Sequence, residues 1–206
     1  MKNNKVKNLV VFSALLAIET IIAFTPLGSI PIGPIVATLG HVPVIIAAIA
    51  MGTGAGLLMG FFFGLYSLIY FTFLAPQPAS ILFTPFYSVG ELHGSFYSLL
   101  IVFVPRILTG FAAAKTLQAF KKIFSEKKQY LAYLLSGVFG TLTNTFLVLG
   151  GIYVFFGTQY AALIEVQYSV LLGVLGLTVL TQGVPEAIIG ALCARLIGRP
   201  IEKMLI

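Results

Sequence analysis

The sequence predicts an all-α integral membrane protein, a bundle of six transmembrane helices with both termini in the cytoplasm. Of the 206 residues, 59% are apolar and only 9% are charged, and the mean hydropathy is +1.05. Soluble domains carry about a quarter charged residues, so this composition excludes a water-soluble fold. The apolar residues form six segments, and lysine and arginine gather in only three places along the chain.

The six apolar segments are predicted to be the helices. A helix needs about 20 mostly apolar residues to cross a bilayer. The segments lie near residues 6–26, 36–51, 54–74, 96–118, 130–157 and 169–195. The second is short, and we expect it to be tilted or to cross only part of the membrane. No hydrophilic stretch is long enough for a second core, so residues 1–206 are predicted to be a single transmembrane domain.

The basic clusters predict the orientation, because cytoplasmic loops carry the excess of lysine and arginine. The clusters precede the first segment, lie between the fourth and fifth, and end the chain: Lys2, Lys5, Lys7; Lys115, Lys121, Lys122, Lys127, Lys128; Arg195, Arg199, Lys203. Six helices put all three on one side. Loops 27–35, 75–95 and 158–168 contain no lysine or arginine and are predicted to face outward. This pattern explains the net charge of +6 better than nucleic-acid binding does.

Small residues at four-residue spacing indicate close helix packing. Gly56, Gly60 and Gly64 follow this spacing in the third segment, and Ser13 and Ala17 follow it in the first. Small side chains let helix backbones approach closely in lipid. Packing inside the bundle and docking of a partner protein are both compatible with the pattern.

Arg106 is the one basic residue outside the three clusters, roughly halfway along the fourth segment. Ionisable side chains at this depth are costly unless they are paired or line a wet cavity. The forked guanidinium suits a carboxylate or phosphate ligand. An ion pair with Glu19, at a comparable depth in the first segment, is the structural alternative.

Further polar residues lie inside the predicted bundle. Asn144 and Gln182 lie midway along the fifth and sixth segments, where an amide can bond a polar ligand or another helix. For Glu186, which follows Pro185, we favour a structural role. His41 opens the second segment, and we expect it to satisfy local hydrogen bonds rather than bind metal. Catalytic motifs are missing, and the chain contains no aspartate, so neither a catalytic nor a metal site is predicted.

The outward loops are rich in proline, glycine and aromatic residues. Proline blocks helix continuation, so these loops are expected to be irregular but stiff. Phe83, Phe86 and Tyr87 in loop 75–95 are candidates to cover the apolar part of a ligand. An aromatic belt at the membrane interface is the alternative interpretation.

Three stretches carry a resemblance to a known family over nearly the whole chain. They read AFTPLGSIPIGPI before HVPVIIAAI, GFFFGLYSLI, and FTPFYSVGELHGSFYSLLIVFVPRILTG. The chain resembles the S components of energy-coupling-factor (ECF) vitamin transporters, and most resembles the pantothenate-specific members. Other members of that family carry folate, riboflavin or cobalamin.

The resemblance implies a multi-pass protein of the bacterial cell membrane that binds a vitamin from outside. It implies a pocket formed by the outward loops and helices 4 to 6, with Arg106, Asn144, Gln182, Phe83 and Tyr87 as substrate-binding candidates. The implied partners are a transmembrane T subunit and two ABC-type ATPase subunits. The chain itself would be no enzyme and hold no cofactor, because the ATPase partners use the ATP, and it would topple in the membrane to deliver the vitamin.

Ser13 and Ala17 match the family's docking pair of alanines, with serine in place of the first alanine. The residues also leave open a stand-alone secondary transporter, in which Glu19 or Glu186 moves protons or sodium. A membrane-embedded enzyme and a purely structural protein fit the sequence less well.

Overall fold

The computed structural model describes residues 2–25, 29–32, 35–74 and 78–205, and nearly all of this part of the chain is helical. The helices are α1 (Lys2–Phe24), α2 (His41–Met51), α3 (Thr53–Ile69), α4 (Phe96–Ile123), α5 (Gln129–Leu163), α6 (Tyr168–Thr178), α7 (Val184–Cys193) and α8 (Arg199–Leu205). A hairpin of β1 (Ser29–Ile32) and β2 (Ile35–Thr38) joins α1 to α2. The predicted all-α fold is confirmed.

Five helical segments in the described part of the chain are long and apolar enough to cross a membrane: Lys5–Phe24, Thr53–Leu74, Phe96–Ile123, Glu126–Leu163 and Tyr168–Leu205. The second predicted segment forms only α2, whose 11 residues extend for about 16 Å. This helix is therefore too short to span the bilayer alone, in line with the expectation of a partial crossing. The orientation of the termini stays a prediction.

Helix α2 lies at the centre of the bundle. Its residues His41 to Ile49 are all buried, which fits a sequence made almost wholly of apolar and small residues. Pro43 falls in the first turn, where its missing N–H removes no helical hydrogen bond. The helix ends at Gly52, whose φ of +87° lies in the left-handed region that favours glycine.

The glycines of α3 pack against α4 inside the bundle. A Cβ at Gly60 would collide with the backbone carbonyl of Arg106, and a Cβ at Gly64 would collide with Phe103. Gly56 meets Gly110 in the same way. The four-residue spacing read from the sequence thus brings two helix backbones together at three successive turns.

Helices α6, α7 and α8 form one continuous helical segment, longer than the predicted 169–195. They are joined by two π-helical turns, Val179–Gly183 and Ala194–Gly198, each of which ends two residues before a proline, Pro185 or Pro200. Proline lacks the N–H that an α-helix needs, and a π turn accommodates the break without ending the helix.

The loop before α4, called the outer loop because it is predicted to face outward, covers the N-terminal end of α4 and the C-terminal end of α5. A 3₁₀ turn, Pro78–Leu82, buries Ile81 and Leu82 against Ile101 of α4 and Phe156 of α5. Ser98 Oγ donates a 2.7 Å hydrogen bond to the carbonyl of Ile81. A short hairpin, β3 (Ser88–Val89) with β4 (Leu92–His93), completes the loop. Residues 26–28, 33–34 and 75–77 of the predicted outward loops lie outside the described residues.

Helix α8 is joined to the ends of α4 and α5 where the basic residues gather. Lys121 Nζ lies 2.6 and 2.7 Å from the two carboxylate oxygens of Glu202. The Tyr133 hydroxyl donates to Glu202 Oε2 at 2.5 Å, and the Arg199 guanidinium lies 5.8 Å from the centroid of the Tyr133 ring. Three elements distant in sequence are thus connected at this end of the bundle.

Candidate ligand-binding site

Arg106 is held in place by its own helix. Pro105 has no N–H to donate to the carbonyl of Ile101, four residues earlier in α4. The guanidinium replaces that donor, because Arg106 Nη1 lies 2.7 Å from the Ile101 oxygen. Side chains in a helix point toward its N-terminus, so the group is directed back along α4 toward Ile101. The side chain is only 7% exposed.

Two aromatic rings flank the Arg106 guanidinium. Its ζ carbon lies 5.6 Å from the centroid of Phe63 on α3 and 5.3 Å from that of Phe83 in the outer loop, distances that allow cation–π attraction. Phe83 stacks on Phe71 with centroids 4.8 Å apart. Arg106 Nε is buried without a hydrogen-bond partner. The guanidinium is therefore oriented at one nitrogen and free to donate at another.

The expected ion pair between Arg106 and Glu19 is not formed. Glu19 is fully buried, and neither of its carboxylate oxygens has a hydrogen-bond partner. No salt bridge joins Glu19 to Arg106 among the described residues. Neither Glu19 nor Arg106 thus neutralises the other, and both remain open to a further partner.

Glu19 lies at the level of Phe63, because α1 and α3 pack side by side in the same direction. Leu15 shares an apolar cluster with Met59, and Thr20 hydrogen-bonds the hydroxyl of Tyr66 at 3.0 Å. Phe63 falls between those two α3 residues, as Glu19 falls between the two α1 residues. Since Phe63 also contacts the Arg106 guanidinium, Glu19 and Arg106 lie at similar depth.

Asn144 and Thr141 approach this region from α5. Helix α5 packs antiparallel to α4, with Gly140 beside Ala113 and Gly151 beside Ile101, which brings Asn144 opposite the turn that carries Arg106. Against α7, the hydroxyl of Thr141 faces Gly190. Asn144 is half-buried, and its Oδ1 is buried without a partner.

His41 joins this level from the start of α2. It is 1% exposed, and its imidazole hydrogen-bonds the backbone of Glu186 on α7. The role of the Glu186 carboxylate stays a prediction. The other ring nitrogen, Nε2, has no partner. The sequence analysis did not place His41 or Thr141 in a site. The available signal was a lone histidine within a wholly apolar segment.

Buried polar side-chain atoms without partners concentrate in this region. Such an atom costs about 1–3 kcal/mol when nothing bonds it, so a group of them marks a place for a ligand or water. In the described part of the chain they belong to Glu19, His41, Arg106, Thr141, Asn144 and, nearer the end of α5, Gln159.

The other predicted site residues have different surroundings. Tyr87 is half-buried and packs in the apolar cluster under the outer loop, with Phe83. Gln182 is exposed and lies in the π turn between α6 and α7, so its side chain is not among the buried polar groups. Ser13 and Ala17 are both exposed on α1.

Two wholly apolar grooves run along the outside of the bundle. One, of about 320 Å³, lies between α4 and α5 and includes Leu100, Val104 and Val154. The other, of about 330 Å³, lies between α5 and α6 and includes Phe146 and Leu172. With no polar side chain except the tyrosine at position 153 in their lining, they suit lipid chains rather than a polar ligand.

Comparisons with known proteins identify the family of the chain. Residues 7–198 match the family described as ECF transporter, substrate-specific component. The chain is 34% identical over 206 residues to the pantothenic acid transporter PanT of Lactococcus lactis subsp. cremoris (strain MG1363), a match covering 98% of this chain and 97% of that protein. The predicted location in a bacterial membrane, with several spans, is confirmed. The chain therefore belongs to the family of substrate-specific components of ECF transporters.

Proposed function

We propose that this chain is the vitamin-binding subunit of an ATP-driven ECF uptake transporter, and that its substrate is pantothenate. The similarity to a pantothenic acid transporter over nearly the full length of both chains supports the choice of vitamin. The observation that carries the proposal is the buried guanidinium of Arg106, which has one oriented nitrogen and one without a partner.

Pantothenate matches the chemistry of this interior. It carries one carboxylate, which the free Arg106 nitrogen can bind in a charge-assisted hydrogen bond. Its amide can bond Asn144 Oδ1, which lacks a partner. Phe83 and Tyr87, two half-buried residues of the outer loop, offer apolar surface to its gem-dimethyl group. Gln182 stays a candidate contact, reached only from the exposed side of the π turn.

The other features of the chain correspond to steps of the proposed transport cycle. The chain binds the vitamin from outside and hydrolyses no ATP itself, because the two ATPase subunits do so. It docks on the T subunit and topples to bring the occupied pocket to the cytoplasm. The exposure of Ser13 and Ala17 on α1 supports docking there. Only 11% of the α1 span is buried, against 44% of the α4 span, which leaves α1 available to a partner helix.

A second candidate function rests on Glu19. Its carboxyl group is fully buried and without a hydrogen-bond partner, and such groups inside membranes often carry protons or cations. A stand-alone secondary transporter would use it to couple vitamin uptake to an ion gradient. Uptake by the purified chain alone in liposomes, driven by a proton or sodium gradient, would favour this alternative.

The proposed function is tested by calorimetric titration of the purified, detergent-solubilised chain with pantothenate. Parallel titrations use folate, riboflavin and cobalamin under the same conditions. We expect tight one-to-one binding of pantothenate without ATP. Binding of a different vitamin would keep the transport role and change the cargo. If no vitamin binds, the vitamin-binding proposal fails.

A further inference from the structure

His41 presents a hydrogen-bond acceptor to the interior of the bundle. Its imidazole is 1% exposed and bonds the backbone of Glu186, while Nε2 has no partner. The nitrogen engaged with Glu186 is therefore Nδ1. A backbone carbonyl can only accept, so Nδ1 carries the proton and the neutral ring keeps a lone pair on Nε2. That lone pair requires a donor.

Thr141 presents a free hydroxyl at the same place. Threonines in helices usually donate to the carbonyl four residues earlier, as Thr143 does to Phe139 at 2.7 Å and Thr145 does to Thr141 at 3.3 Å. Thr141 differs from both, because its buried Oγ1 has no hydrogen-bond partner. Thr141 therefore lacks the local hydrogen bond that Thr143 and Thr145 make.

The Thr141 hydroxyl and His41 Nε2 both lie beside Gly190. A Cβ at Gly190 would collide with the Thr141 hydroxyl and lie 3.5 Å from His41 Nε2. The two free polar atoms therefore face the same point, from α2 and α5, with the bare backbone of α7 opposite. Any larger residue at 190 would fill this point.

We propose that His41 Nε2 and Thr141 Oγ1 form a subsite for the hydroxyl-bearing end of the ligand. The inference rests on the proposed function, and it fixes the direction in which pantothenate lies. A carboxylate only accepts hydrogen bonds, so it cannot satisfy His41 Nε2, whereas Arg106 only donates and suits it. A hydroxyl donates to Nε2 and also accepts from Thr141.

Asn144 lies between the two ends of this arrangement. It follows Thr141 by three residues, so it is on the neighbouring turn of the same helix face, and the α4–α5 packing brings it opposite Arg106. The amide in the middle of pantothenate then meets Asn144, with the carboxylate on the α4 side and the hydroxyls between α2, α5 and α7.

The test combines a nearly isosteric variant, Thr141→Val, with ligands that lack single groups. Wild type, Thr141→Val and Thr141→Ser are titrated with pantothenate and with two analogues, each lacking one of its hydroxyls. Thr143→Val is the matched control, because the Thr143 hydroxyl already donates a hydrogen bond to the Phe139 carbonyl. His41→Gln, which keeps an acceptor but loses the ring, is the second variant.

We expect Thr141→Val to weaken pantothenate binding about ten-fold or more, Thr141→Ser, which keeps the hydroxyl, to bind more tightly than Thr141→Val, and Thr143→Val to bind like wild type. For one of the two deoxy analogues, Thr141→Val should bind as well as wild type, because the interaction is already missing. Equal losses for all three ligands would overturn the subsite, since they indicate a structural role. Undiminished pantothenate binding by both Thr141→Val and His41→Gln would also overturn it. A wild-type chain that does not bind pantothenate overturns the proposed function as well.

Discussion

Arg106 donates a 2.7 Å hydrogen bond to the carbonyl of Ile101, the oxygen that lacks its helical partner because residue 105 is proline. The two adjacent residues act together: the proline releases an acceptor, and the arginine uses it. A single buried cation is thereby oriented by backbone geometry and not by a carboxylate. The free Nε stays available to a ligand.

The first prediction concerns Pro105. Pro105→Ala restores the N–H that bonds the Ile101 carbonyl, so Arg106 loses its orienting contact. We expect pantothenate affinity to fall several-fold, while thermal stability stays level or rises. In an Arg106→Lys background the same change should add little, because the contact that it disturbs is already altered. Additive effects of the two changes, measured by calorimetry as a double-mutant cycle, would contradict this account.

Arg106 is predicted to bind the carboxylate. Arg106→Ala should abolish detectable pantothenate binding, because a buried charge-assisted contact is worth about 2–5 kcal/mol. Arg106→Lys keeps the charge without the fork and should bind with intermediate affinity. An analogue with an alcohol in place of the carboxylate should bind wild type and Arg106→Ala equally weakly. Unchanged affinity of Arg106→Ala for pantothenate would remove this residue from the site.

Gly60 is predicted to set the position of Arg106 through the backbone. A Cβ at Gly60 collides with the Arg106 carbonyl, so Gly60→Ala should push α3 away from α4 and lower both affinity and melting temperature. Gly54→Ala on the same helix is the control, because a Cβ there has nothing within 4 Å. Equal affinities and equal melting temperatures for the two variants would show that the close contact at Gly60 does not position Arg106.

The α1 surface is predicted to matter for transport and not for binding. Ala17→Trp puts a large ring on the exposed docking face, which close helix packing does not tolerate. Vitamin uptake by cells that contain the complete transporter should be lost, while calorimetric affinity is unchanged. Leu177→Trp adds the same bulk to α6 at a position that is 59% exposed and should keep uptake. Normal uptake by Ala17→Trp would place the docking surface elsewhere.

Glu202 is predicted to stabilise the end of the bundle where α8 packs. Glu202→Gln removes the charge that Lys121 contacts through both oxygens, at a cost of about 1–2 kcal/mol for a partly buried charged hydrogen bond. A lower melting temperature in detergent should follow. Glu126→Gln, at an exposed residue, serves as control. Equal melting temperatures for the two variants would assign no stability to the Lys121–Glu202 pair.

The position of a polar residue along its helix could be predicted from the sequence. Arg106 stands alone in an apolar stretch, and the glycine spacing of α3 indicates the close contact that carries it. Loop residues Phe83 and Tyr87 were also predictable as candidates, because a stiff aromatic loop precedes the helix that holds Arg106. Their proximity to that helix follows from chain connectivity.

The direction in which each side chain points could not be predicted from the sequence in this way. Gln182 and Asn144 were predicted to lie at similar depth, yet the π turn before Pro185 leaves Gln182 exposed. His41 was predicted to open the second segment, whereas α2 is short and buried, so that the residue lies in the interior. An ion pair between Glu19 and Arg106 was the structural alternative, and such a contact depends on helix rotations that periodicity does not determine.

The short, central α2 has a consequence for how this protein is made. Helices α1 and α3 run in the same direction, so the chain between them must return through the bilayer, and α2 supplies only about half of the roughly 30 Å hydrocarbon thickness. A segment of this length is a weak substrate for insertion by the translocon. We therefore expect α2 to reach its buried position together with the helices that surround it, so that membrane insertion and folding of the bundle are coupled.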